Sequence, residues 1–101
     1  MTITIKQLAN GQLASAKGTI YTATACTAII RSITLVNTGG SSVTVNLYAA
    51  TRRIIPKDLT LAAGYSLVVD DVITLSAGNI IEGSDGVGTN TDFVISGVEE
   101  T

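Results

Sequence analysis

The sequence predicts an all-β domain: an antiparallel β-sandwich, jelly-roll-like, of about eight short strands. Three observations carry this. Apolar and polar residues alternate with a period of two through one segment after another. Clusters of Gly, Asn, Asp and Ser separate those segments at the spacing of sandwich and barrel turns. No window of helical period competes with them. A chain of 101 residues is the usual size of one domain. At that size folding buries roughly two-thirds of the unfolded chain's surface, so the core needs no disulfide or metal.

The elements follow in order. Thr2 to Leu8 sets Ile3 and Ile5 against Thr2, Thr4 and Lys6, and ends at an Asn10-Gly11 turn. Gly18 to Ala25 is a Thr-rich strand anchored by Ile20 and Tyr21. Ala28 to Asn37 is the longest; Ile29, Ile33 and Leu35 share a face with Arg31, and Ile30 and Val36 share the other with Ser32 and Thr34. Apolar residues on both faces predict a strand covered on both sides. After the turn Thr38 to Ser42, Val43, Val45 and Leu47 point one way and Thr44, Asn46 and Tyr48 the other. Arg52 to Asp58 reads as a loop, because Pro56 removes a backbone donor. Short strands follow at Leu59 to Leu61, Tyr65 to Val69, Val72 to Leu75 and Ile80 to Glu82. A glycine-rich loop, Gly83 to Thr91, leads into a last strand in which Phe93, Ile95 and Gly97 share a face. Residues 1–17 form an N-terminal extended arm or first strand, and 18–101 form the sandwich.

Composition narrows function. Charged residues make up 14 % of the chain, against about 25 % in a typical soluble domain. The exposed surface is therefore rich in small neutral groups that cost little to desolvate, which suits faces covered by neighbours. Six basic residues (Lys6, Lys17, Arg31, Arg52, Arg53, Lys57) are scattered and the net charge is −2, so no phosphate-binding stripe points to nucleic acid. No apolar run approaches the ~20 residues of a membrane-spanning helix. The start of the chain lacks the pattern of a signal peptide. Cys26, the single cysteine, reads as a small, inert, half-buried thiol.

The chemistry of catalysis is thin. Without histidine, Ser-His-Asp and Cys-His arrangements do not arise. Asp70 and Asp71 are adjacent, so a strand would point them to opposite faces, and a turn would use them to bond their own backbone. Asp85, Asn90 and Asp92 carry oxygens of the kind Ca²⁺ takes, but their spacing departs from the EF-hand pattern and a contact loop fits better. No catalytic residue, cofactor or metal is expected. The candidate interface consists of Ile3, Ile5, Tyr48, Arg52 and Arg53. Phe93 and Tyr65 fall in register with the core, whereas Tyr48 is either an exposed anchor or a packing residue of the second face.

The order of several segments is specific. Gly18-Thr19-Ile20-Tyr21-Thr22 precedes Thr27-Ala28-Ile29-Ile30-Arg31-Ser32-Ile33-Thr34-Leu35-Val36-Asn37-Thr38, and then comes Val43-Thr44-Val45-Asn46-Leu47-Tyr48. Leu61-Ala62-Ala63-Gly64-Tyr65-Ser66, Leu75 to Gly83 and Asp92-Phe93-Val94-Ile95-Ser96-Gly97-Val98-Glu99 complete the series. The series, from Gly18 to Glu99, resembles small virion structural proteins of tailed bacteriophages; Asn79 stands where an acidic residue is common. The resemblance implies a non-enzymatic β-sandwich made in the host cytoplasm and carried in the virion. It implies first a capsid decoration (cement) protein, a homotrimer bound between subunits of the major capsid protein. A tail or baseplate component, receptor-binding included, is the alternative; a carbohydrate-binding module fits less well, because the chain has no Trp platform. Neither nucleic acid nor membrane is an expected partner.

Overall fold

The computed structural model describes residues 2–88 and 90–101; Met1, and Thr89 of the expected glycine-rich loop, lie outside the described residues. Ten strands and no helix make up the described chain: β1 (Ile3–Gln12), β2 (Gly18–Thr22), β3 (Thr27–Asn37), β4 (Val43–Ala49), β5 (Arg52–Arg53), β6 (Leu59–Leu61), β7 (Ser66–Val69), β8 (Ile73–Leu75), β9 (Ile80–Ser84) and β10 (Thr91–Glu100). They form two antiparallel sheets. Sheet A runs β1-β10-β3, with β7 and β8 following each other along the far edge of β3; sheet B runs β2-β9-β4, with β5 and β6 along the far edge of β4. The pairs are nested: β1 with β10, β2 with β9, β3 with β7 and β8, β4 with β5 and β6.

One core lies between the sheets. Ala28, Ile30, Ile33 and Leu35 of β3 and Phe93 and Ile95 of β10 meet Val43, Val45 and Leu47 of β4 and Ile81 of β9, all buried. Fully burying each of the Val, Leu, Ile and Phe side chains among these is worth about 1.5–3 kcal/mol. Leu13, just past β1, is also buried and closes one end.

Three expectations are corrected. The Asn10-Gly11 pair is not a turn: β1 runs through it to Gln12, with its register shift between Gln7 and Ala9. Gly11 holds a φ of 154°, which residues with a side chain rarely adopt, while a Cβ there would meet the Phe93 ring at an ordinary 3.4 Å. In β3, the faces change phase at Arg31. There Ser96 pairs with Ser32 and Gly97 with Ile30, so one β3 residue is extra. Ile30 therefore joins Ile33 and Leu35 inside, and Ile29, placed with them by strict alternation, turns outward. Gly97 serves this bulge, since a Cβ there would run into the Ile29 carbonyl oxygen. Finally, Tyr65 is no core residue. It ends the Ala62–Tyr65 turn ahead of β7 and is 68 % exposed.

Asn37 locks the far end of β3. Fully buried, its side-chain amide donates to the carbonyls of Ser41 (2.8 Å) and Leu61 (3.0 Å), and its Oδ1 accepts from the Gly39 N–H (2.9 Å). Its backbone binds Tyr65 and Gly64. One side chain thereby ties β3, the β3–β4 turn and the end of β6 together.

Candidate functional site

The outward face of sheet A is built by the register of its strands. In an antiparallel sheet directly paired residues share a face, and Ile5 pairs with Val98, which pairs with Ile29, which pairs with Thr74. Beside this row run Ile3, Glu100 and Thr27. Ile3, Thr27, Ile29, Val98 and Glu100 line a shallow depression on the face. Further along, Val94, Thr34 and Val68 form a third row. Ile5 is 83 % exposed, Ile3 60 % and Val68 55 %. The strand alternation that predicted cover on both sides of β3 thus meets an aliphatic face that the described residues leave open.

Edge position adds backbone chemistry. Thr2 and Thr101 exchange both ladder bonds (3.0 and 2.9 Å). Alternate residues of an antiparallel ladder face their partner, so Thr4 and Lys6 also face β10, and the N–H and C=O groups of Ile3, Ile5 and Gln7 point to the free edge. Natural edges are usually blunted with charge or proline. β1 carries one charge, Lys6, whose ammonium is held 2.8 Å from Glu99 Oε1.

That ion pair belongs to a small polar cluster at the same end. The Tyr21 hydroxyl donates to Glu99 Oε2 at 2.6 Å. The Lys6 and Tyr21 bonds hold the Glu99 carboxyl below its ordinary range, against the opposing effect of burial. Burial first, and then the Glu99 carboxylate, push the Tyr21 hydroxyl well above its ordinary 10. Cys26 lies buried in the core.

Tyr48 stands on the opposite sheet. Its ring lies between two cations, Lys17 Nζ at 4.2 Å and Arg53 at 4.8 Å from the centroid. Lys17 also approaches Glu82 (3.7 Å), and Arg53 Nη1 donates to Asn46 Oδ1 (2.6 Å). Cation–π contacts of this kind contribute about 0.5–1 kcal/mol at exposed sites. The structure therefore brings Ile3 and Ile5 together on sheet A and Tyr48 and Arg53 together on sheet B, with Arg52 exposed beside the β4–β5 turn. The five residues form two surfaces. Ile29, Val68, Val94 and Val98 escaped the sequence reading, although apolar residues at both parities of the last strand were their signal.

Of the loop residues considered for calcium, Asp85 is buried, and its Oδ1 accepts from the backbone of Val87 and Gly88 (3.0 and 2.5 Å). Asp92 instead accepts from Gln12 at 3.0 Å, on exposed strands. Among the described residues no three His, Cys, Asp or Glu side chains gather closely enough to share a metal ion. Among the described residues no helix is long and apolar enough to cross a membrane. No protein family, curated protein or solved structure matches the chain.

Proposed function

We propose that this chain is a non-enzymatic structural protein of a phage particle, a decoration protein that binds between major capsid subunits and stabilises the head. The observation that carries the reading is the open aliphatic face of sheet A beside the free edge of β1, which holds a single charge between Ile3 and Gln7. A protein that spends its life covered can keep such a face, whereas a free monomer pays for it in solubility. The nested strand pairs support a jelly roll, a hairpin rolled upon itself into two four-strand layers once β5 is joined with β6 and β7 with β8. That architecture recurs in viral capsid domains. The order of segments from Gly18 to Glu99 supports the same assignment. We assign the chain no catalytic step, no nucleic acid and no membrane. It is made in the host cytoplasm and used in the virion.

The experiment is addition of the purified protein to capsids assembled without it. Saturable binding and a higher temperature of shell rupture are the expected results. Shells that neither bind the protein nor gain stability contradict the decoration role and leave the tail or baseplate assignment in its place.

A further inference from the structure

We propose that two copies of this chain join in solution through β1, edge to edge about a twofold axis, extending sheet A across both molecules. The occupant of the free edge is a second β1. A strand edge recognises another extended strand, and a twofold pairing demands that the same stretch complement itself. The stretch Ile3 to Gln7 does so. With the axis at Ile5, Ile3 meets Gln7 of the second copy, Ile5 meets Ile5, and Gln7 meets Ile3. These are the three residues whose N–H and C=O groups point outward, so each pair exchanges two bonds.

Side chains agree with that register. Ile29, Val98 and Ile5 already lie in one row. The axis doubles the row into a continuous line of aliphatic chains, with Ile5, the most exposed isoleucine, opposed to its own copy at the centre. Electrostatics do not oppose it. The one charge on β1, Lys6, falls opposite Thr4 of the second copy and is neutralised by Glu99 of its own chain. The contact is one strand pair and a narrow apolar row, well short of the roughly 800 Å² per partner of a standard interface. A weak, concentration-dependent dimer is the expected form. This twofold differs from the threefold expected from the sequence; it draws on the same edge and face of sheet A as the virion assignment, and is tested on the free chain alone.

Sedimentation equilibrium of the full chain tests it. Up to about 500 μM, a concentration that populates even a weak dimer, the average mass should climb from 10.3 kDa toward twice that value. Ile5→Pro should abolish the climb while leaving the fold intact, because the residue 5 N–H faces away from β10 and proline removes no bond within the chain. Should Ile5→Pro prove unstable, Ile5→Lys decides: it sets two ammonium groups against each other across the axis and should also leave a monomer. A wild-type mass fixed at 10.3 kDa, a mass converging on three copies, or a dimer surviving in a folded Ile5→Lys variant overturns the proposal.

Discussion

Replacing Asn37 by alanine removes the three hydrogen bonds of a fully buried side chain. The amide donates to Ser41 and Leu61 carbonyls and accepts from Gly39, at 2.8 to 3.0 Å. A hydrogen bond of this kind is worth about 0.5–1.5 kcal/mol net. Taken at its middle value, three such bonds give a loss of about 3 kcal/mol. In a domain of this size each kcal/mol moves the Tm by about 4–8 °C, so the variant should melt about 12–24 °C lower. Urea titration followed by circular dichroism measures the loss directly, with an unchanged m-value as the sign that the native state is intact. Asn37→Asp sharpens the test. It keeps the acceptor for Gly39 but turns a carboxyl oxygen toward two carbonyl oxygens, so at neutral pH it should cost more than alanine. Acid should then recover part of the difference, since a protonated carboxyl can donate again. A loss below about 1 kcal/mol for Asn37→Ala would refute the assignment of Asn37 as the lock of this end.

Three further outcomes are expected. Gly97→Ala should destabilise more than its single methyl suggests, because the Cβ meets the Ile29 carbonyl oxygen and the β3 bulge must shift; chemical denaturation within about 0.5 kcal/mol of wild type would show that the bulge yields freely. Glu99 ionises below its ordinary 4.5 in the folded chain, so its contribution is complete above that pH and is lost as pH falls through the folded value. The stability gap between wild type and Glu99→Gln should accordingly hold near neutral pH and narrow as pH falls below the ordinary glutamate range, and a constant gap would contradict the Lys6–Glu99–Tyr21 geometry. At the β4–β5 turn Ala50 and Thr51 both hold positive φ, 48° and 70°, where a two-residue hairpin prefers Asn-Gly. The double change Ala50→Asn, Thr51→Gly should stabilise by about 1 kcal/mol or more, measured by thermal melting, and a loss would mean that the turn is not of this type.

Much of the strand pattern was legible because period-two alternation survives wherever a strand is regular. Val43 to Ala49 and Leu59 to Leu61 coincide with β4 and β6. The pattern misleads where geometry departs from the regular pleat. One extra residue at Arg31 reverses the faces upstream of it, and nothing in a string of Ala, Ile, Ile and Arg marks a bulge formed against Gly97 on a distant strand. Asn10-Gly11 carries the composition of a turn, yet the glycine serves as a positive-φ residue inside β1, paired with Phe93. Tyr65 has the right parity for the core but sits one residue ahead of β7, where the turn frees it. Tyr48 was placed on the correct face. Its capping by Lys17, thirty-one positions earlier, is a product of how β2 and β4 flank β9. The open face of sheet A had a partial signal in Ile3 and Ile5; its other members emerge only once register joins β1, β10 and β3.

The most direct measurement of the central claim is the copy number of this chain in purified particles, by quantitative mass spectrometry against the major capsid protein. A decoration protein spread over the shell should approach parity with that subunit. A handful of copies would move the chain to the tail or portal, and its absence from particles would contradict the virion assignment altogether.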